Sequence, residues 1–438
     1  MLIAGWLLMP TALRAEDLLT AYNLARANDA KFRAAQSVYL AERERLPQAR
    51  AGLMPTINAR AERDRNNSET TTDSFVISRP SARFDYSSSE YSLRLSQPVY
   101  NAAIFSGFSQ AKVEVLRAEA EYAAAGQDLI LRVARAYLEQ LLAQDSLEFS
   151  HAERILIQRQ LESAEARLKA GLATITDVHD ARARFEIAAA QETEAENTLQ
   201  DKREALRELT GHSTESLAIV GANMPLIAPE PADINQWVEK SLQQNSSLLA
   251  KRAAAESASE EIKRQRAGHY PTLDLVGTLT RNDADKSIVG PGIRTDSTVV
   301  GLQLNVPLFQ GGLVSSRTEE AARRHDAAQQ EFEATRRATE RETRSFYLGV
   351  TGGTVKVTAL SQAVVASESA LEAKTQGFTV GINTNLDVLD ATRDLYRTKR
   401  DLSSTRYDYL INMLRLKQAA GTLSESDLLQ INGWLQAP

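Results

Sequence analysis

No cysteine occurs in the 438 residues. Its absence removes disulfides, thiolate catalysis, cysteine zinc sites and an N-terminal lipidated cysteine. Aromatic residues make up only 6%. With abundant alanine, glutamine, glutamate and arginine, that is the composition of long, shallowly packed helices rather than of a thick globular core. A basic field is lacking too: the net charge is −6 and the pI about 5.6, so no nucleic-acid partner is expected. No stretch of about 20 apolar residues occurs; a membrane crossing would have to be made by strands. Proline is missing from two long stretches, between Pro98 and Pro225 and between Pro307 and Pro438. Each has room for two long helices and one turn.

The remaining exclusions concern catalysis. The five histidines, His151, His179, His212, His269 and His325, are scattered without ligand spacing. No phosphate loop or nucleophile elbow appears. No enzymatic activity, cofactor or metal is therefore expected. At the N-terminus, Leu2 to Leu8 is a short apolar run and Ala12-Leu-Arg-Ala15 offers a small residue before a cleavage point. Residues 1–15 are expected to be a secretory signal, although no basic residues precede the apolar run.

What is present occurs twice. Gly171-Leu-Ala-Thr-Ile-Thr-Asp-Val-His-Asp180 is echoed 210 positions later by Gly381-Ile-Asn-Thr-Asn-Leu-Asp-Val-Leu-Asp390. Gly171 matches Gly381, Thr174 matches Thr384, Asp177 matches Asp387 and Asp180 matches Asp390. Arg50-Ala-Gly-Leu-Met-Pro-Thr56 and Arg266-Ala-Gly-His-Tyr-Pro-Thr272 agree at five of seven positions. The chain reads as a duplication, 16–225 and 226–438. Each copy has the order helix, strand, strand, long helix, tip, return helix, belt.

In the first copy the expected elements are a helix 16–52, strands 53–65 and 83–98, a long helix 102–170, a tip 171–176, a return helix 177–210 and a belt segment 211–225. In the second they are a helix 232–268, strands 271–281 and 296–307, a long helix 312–380, a tip 381–385, a return helix 386–420 and a belt segment 421–438. Tyr91, Leu93 and Leu95, and likewise Val300, Leu302, Leu304 and Val306, alternate with polar or small residues and give each second strand one apolar face. The polar runs Asn66 to Asp73 and Asn282 to Thr295 are expected as exposed loops. A helix from 102 to 170 would be roughly 100 Å long, which suits a rod or a spacer. Gly349, Gly352 and Gly353 are expected to weaken the second long helix or bend it, at about 1 kcal/mol each.

Four strands cannot close a membrane barrel, and the smallest such barrels have about eight. Several chains must pool their strands if these span a membrane. The alternative is a soluble envelope spacer, a coiled coil with β-hairpin caps.

The two tip motifs, together with Pro-Thr-Leu-Asp-Leu275, Val306-Pro-Leu-Phe-Gln-Gly-Gly312, Tyr407-Asp-Tyr-Leu-Ile-Asn412 and Gly421-Thr-Leu-Ser-Glu-Ser-Asp-Leu-Leu429, resemble the TolC family of outer-membrane channel-tunnels. The likeness runs in order through residues 16–434, and is closer to the TolC branch than to the lipidated drug-pump branch. The resemblance implies a mainly α protein with membrane β structure. A homotrimer would form a 12-stranded outer-membrane β-barrel continuous with a 12-helix periplasmic α-barrel, with a mixed α/β equatorial belt. It implies a passive exit duct for type I protein secretion or multidrug efflux in the outer membrane of a Gram-negative bacterium. The partners implied are outer-membrane lipid, a periplasmic adaptor and an inner-membrane pump of RND or ABC type.

The resemblance also implies roles for residues. Asp387 and Asp390 would line the periplasmic entrance as acidic rings. Helix capping from Thr384 accounts for Asp387 equally well, but not for Asp390 one turn further on. Thr176 and Asp177 would bond neighbouring helices and, with the turn glycines Gly171 and Gly381, form a latch and adaptor contact. Phe378 stands where the family has a tyrosine and Asn383 where it has an arginine, so the closing lock is expected to be weaker or to use other groups. Asp180 reads as a solvated charge.

Overall fold

A computed structural model describes residues 15–70, 82–213, 216–221, 224–287 and 290–436. The expected signal thus lies outside the described residues except for Ala15. The elements in chain order are α1 Leu18–Asn28, α2 Ala30–Arg43, α3 Arg45–Ala51, β1 Thr56–Thr70, β2 Ala82–Tyr100, α4 Ala102–Lys169, α5 Ile175–Thr210, β3 Ile219–Val220, α6 Ile234–Gln244, α7 Ser246–Arg266, β4 Thr272–Ser287, β5 Gly290–Asn305, α8 Leu313–Thr379, α9 Asn385–Ala419, α10 Glu425–Asn432 and β6 Leu435–Gln436. The duplicated order is visible in this succession. The chain forms two compact units, one from 1–38, 120–249 and 334–438, the other from 39–119 and 250–333.

The second unit holds an antiparallel sheet in the order β1-β2-β4-β5. β2 accommodates Pro98 at a register shift against β4 between Pro98 and Tyr100, which suits a residue with no N–H to offer. The strands outrun their expected limits. β1 continues to Thr70, β4 to Ser287, and β5 starts at Gly290. The polar runs expected as loops at 66–73 and 282–295 are thus largely ladder; residues 71–73 and 288–289 lie outside the described residues. Composition misled because a hairpin satisfies its own backbone, and its polar side chains pair across strands. Asn67 Nδ2 donates to Asp85 Oδ1 at 2.8 Å, and Arg294 meets Asp283 at 2.6 Å.

The first unit holds the main core. α1 buries Leu18, Ala21, Tyr22 and Ala25, at helical spacing. They join Leu129, Val133, Tyr137, Leu138 and Leu141 of α4, Leu206 of α5, Leu410 and Leu414 of α9, and Leu428 and Ile431 of α10. Tyr137 Oη donates to Ala218 O at 2.8 Å, so a large ring is buried with its hydroxyl satisfied. β3 and β6 pair antiparallel beside this core.

The expected helices 16–52 and 232–268 are each broken. Asp29 ends α1 and its carboxylate accepts the Phe32 N–H at 2.6 Å. Asn245 ends α6 and accepts the Leu248 N–H at 2.9 Å. These are matching positions of the two copies, and each side chain caps the helix that follows. A further break at Glu44 separates α2 from α3.

Through Gly349, Gly352 and Gly353 the helix α8 continues without a break, from Leu313 to Thr379. A Cβ at Gly349 would stand 3.2 Å from the Asn412 side chain, and one at Gly353 3.3 Å from the Tyr409 ring. These two glycines let α9 approach closely.

Candidate functional site

Two surfaces carry the features expected of function. The first is the sheet. Register places Ile57, Leu95, Gly277 and Val300 in one row, and Ala59, Leu93, Leu279 and Thr298 in the next on the same face. Leu275 and Leu302 extend it. The opposite face carries Asn58, Arg60, Ser92, Arg94, Thr278 and Thr280. Ile57, Leu93, Leu279, Val300, Leu302 and Leu304 are all exposed. The apolar band ends on one side at the cross-strand pair Arg281–Asp296, at 2.6 Å. On the other, Tyr100, Tyr270 and Phe309 are exposed near the strand ends. An apolar face bordered at one end by aromatic residues and backed by a polar face suits a strand between lipid and a water-filled lumen. Among the described residues no helix is long and apolar enough to cross a membrane.

The second surface is the pair of tips, both in the first unit. Each is a tight reversal whose bonds follow from its sequence. Gly171 and Gly381 have φ of +75° and +83°, values that L side chains avoid. Leu172 N donates to Arg167 O at 2.8 Å and Gly171 N to Leu168 O at 2.9 Å; Ile382 N donates to Gly377 O at 2.8 Å and Gly381 N to Phe378 O at 3.2 Å. This double closure satisfies the last carbonyls of α4 and α8. Thr174 and Thr384 then open α5 and α9. Each hydroxyl accepts from the N–H of the aspartate three residues on, at 3.2 Å, and each aspartate accepts the threonine N–H at 2.8 Å. These are two complete capping boxes.

The cap decides what the aspartates do within the chain. The Thr174 backbone N–H and hydroxyl hold Asp177 below the usual carboxylate range. The Thr384 hydroxyl and N–H do the same for Asp387, so both stay charged at neutral pH. Within the chain the Asp177 carboxylate closes its own helix start. Thr176 and Asp180 are exposed. Asn383 folds back onto the end of α8, where a Cβ on Gly377 would stand 2.0 Å from its Oδ1. Phe378 lies under the Arg167 guanidinium, 4.6 Å from carbon to ring centroid. Asp390 is paired with Arg184 of α5 at 2.8 Å and lies 3.6 Å from Arg393.

Sequence reasoning had singled out neither Arg167, Arg184 nor Leu389. Leu389 is 1% exposed and joins Ile157, Ala164, Val178, Ala181 and Ala188 of α4 and α5 in a small core of its own. One signal for Arg184 existed. Its match in the second copy is Asp394, so the repeats differ in sign there. Among the described residues no cluster of three or more His, Asp or Glu is disposed to hold a metal ion.

The model of the family described as outer membrane efflux protein matches residues 21–212 and 237–422. The chain is 37% identical to the outer membrane protein TolC of Vibrio cholerae, over 98% of this chain and 96% of that one. It is 33% identical to the proteases secretion protein PrtF of Dickeya chrysanthemi, over 97% and 92%. Its fold is like that of the crystal structure of the outer membrane protein VceC from Vibrio cholerae, with a TM-score of 0.78 at 21% identity, covering 92% of this chain and 96% of that one. These relatives are channel and secretion proteins, which sets aside the soluble spacer. The chain belongs to the outer membrane efflux protein family: it is an exit duct of the Gram-negative outer membrane that extends into the periplasm and serves secretion and efflux.

Proposed function

We propose that this chain acts as a homotrimer, a passive duct whose periplasmic entrance is gated at the hairpin tips. The observation that carries the trimer is the sheet. Its order leaves β1 and β5 as edges, while its apolar face is exposed. Unpaired edge groups facing lipid cost several kcal/mol each. Pairing β5 of one chain with β1 of the next removes both edges. Three copies make a barrel of twelve strands, the number that the family resemblance implies.

The tips support an entrance in contact with partners. Leu172 is 70% and Ile382 81% exposed, with Ile175, Val380 and Leu386 also exposed around the two turns. An apolar patch on rigid, capped turns suits a protein partner. A periplasmic adaptor would dock here and couple the duct to an inner-membrane pump of RND or ABC type. Asp387, kept ionised by its cap, would face the entrance and favour cations. The relative named for protease secretion supports protein cargo by a type I route, and the family's own description supports efflux of smaller molecules. Catalysis has no place in this reading.

The test is assembly. Purified protein should need detergent for extraction from outer membranes, and crosslinking should stop at a trimer that dissociates only on heating. A monomer soluble without detergent, or a dimer, would overturn the proposal.

A further inference from the structure

Beyond its apolar band the sheet carries charge on both faces, and β1 sorts that charge by sign. Residues 61–65 read Ala-Glu-Arg-Asp-Arg. The register of β1 on β2 is uniform, from Thr56 opposite Ser96 to Thr70 opposite Ala82, so side chains alternate without a bulge. Arg63 and Arg65 therefore stand on the apolar face with Ile57 and Ala59, and Glu62 and Asp64 on the polar face with Asn58 and Arg60. The row Ala61–Tyr91–Arg281–Asp296 ends the band; Arg63 occupies the next row on that face, and Arg65 the one after. The strands leave for the helices at the opposite end of the sheet, where α3 precedes Thr56 and α4 follows Tyr100. Since the duct extends into the periplasm, the arginine end faces the outer leaflet.

The other charges around these arginines are already engaged. Arg281 meets Asp296 and Arg294 meets Asp283, both at 2.6 Å. Arg60 meets Glu62 on the polar face at 2.8 Å. Asp85 accepts from Asn67 and Asp285 from the Ser87 N–H, each at 2.8 Å. Among the described residues no carboxylate lies within ion-pair distance of Arg63 or Arg65, and both are exposed. Opposite them in the ladder stand Ser89 and Ser87, too small to cover a guanidinium and able to donate. β1 is a sheet edge, but β5 of a neighbouring copy would bring only one acid to it, Asp296, which Arg281 already holds.

We infer that Arg63 and Arg65 form a binding site for the phosphate groups of outer-leaflet glycolipid. That leaflet in a Gram-negative outer membrane is built of phosphorylated glycolipid, so an anionic headgroup lies where the apolar band stops. Each guanidinium offers a fork of parallel N–H donors matched to phosphate oxygens. Residues two apart on a strand point the same way, which puts both forks on one headgroup while its acyl chains lie along the apolar band. Glu62 and Asp64 are kept on the far face, away from the lipid's own negative charge. Three copies give three such sites around the barrel. The site rests on the proposed trimeric barrel.

Titration of the detergent-solubilised trimer tests it, with diphosphorylated lipid A, its dephosphorylated form and inorganic phosphate as probes. Native mass spectrometry reads binding, and the temperature of trimer dissociation reads stability. Wild type should bind lipid A about tenfold more tightly than either other probe, and dissociate at a higher temperature with it. R63Q/R65Q should lose that preference, yet dissociate at the wild-type temperature when no lipid is added. R63K/R65K, which keeps the charge without the fork, should fall between. R94Q, on the polar face, should bind as wild type does. Equal lipid A binding by R63Q/R65Q and wild type would overturn the site. Equal binding of inorganic phosphate would also overturn it, leaving a general anion site. A lowered dissociation temperature without lipid, with lipid A preference intact, would assign the arginines to the next copy. If R63Q/R65Q does not assemble, R65Q, further from the band, decides by the same readings. A wild-type chain that is monomeric in detergent would contradict the barrel, and the site with it.

Discussion

The two tips of this chain share a backbone and differ in charge. Both reverse through a left-handed glycine, both close the preceding helix with the same pair of bonds, and both open the next with a threonine–aspartate box. Beyond the box they part company. His179 is exposed where Leu389 is buried, and Arg184 stands where the second copy has Asp394. Duplication has kept what the turn requires and changed what each return helix presents. The first copy supplies a small apolar socket and an arginine, and the second inserts a leucine and an acid. The shared bonds close both turns, and the differing side chains let the two return helices pack together.

That contrast can be broken by substitution. The largest effect is expected for Leu389→Ala, which empties the socket between hairpins at a local cost of about 2–5 kcal/mol. His179→Ala, at the matching position, should change stability by no more than about 0.5 kcal/mol. Limited proteolysis of the tips, read by mass spectrometry, should show faster cleavage for the first variant only; equal rates would mean that Leu389 is no anchor.

Next come the glycines. Gly171→Ala and Gly381→Ala should each destabilise the tip by about 1–2 kcal/mol. An added Cβ meets nothing within 4 Å at either position, so backbone conformation alone sets the cost and the two values should agree. Hydrogen exchange across each turn measures this, and a large disparity would show that the tips are not equivalent. Thr174→Ala and Thr384→Ala should each cost about 1 kcal/mol by loss of the cap, again equally, read as fraying of the first turns of α5 and α9.

The smallest effect is that of pH. Asp177 and Asp387 are both held below the ordinary value of 3.8. A depressed folded value means that the capping contribution is complete above the unfolded value and is lost as pH falls through the folded one. Exchange protection at both helix starts should therefore hold to about pH 4 and decline only below it. Loss near neutral pH would contradict the cap.

Much of this was legible in the sequence because it rests on local chemistry. The threonine–aspartate spacing at Thr384 and Asp387 offered a helix cap, the glycines gave the turns, and period-two alternation gave the apolar face of the sheet. The hairpins run longer than their sequence suggests because polar residues 66–70 and 282–287 look like loop when seen singly, and only the ladder pairs them. The close approach at Gly349 and Gly353 has no local signal, because their neighbours Asn412 and Tyr409 lie some 60 residues away. The Arg184–Asp390 contact spans 206 positions and joins different repeats, so no window of sequence contains it.

The central claim is that opposite charges hold two like tips together within one chain. A cysteine-free protein allows it to be measured directly. Nitroxide labels on Leu172→Cys and Ile382→Cys, in trimers diluted with unlabelled chains, report the distance between the tips by pulsed electron resonance. A single narrow distribution in the otherwise unaltered protein that broadens toward longer distances on adding R184Q is the predicted result. Identical distributions with and without R184Q would contradict it.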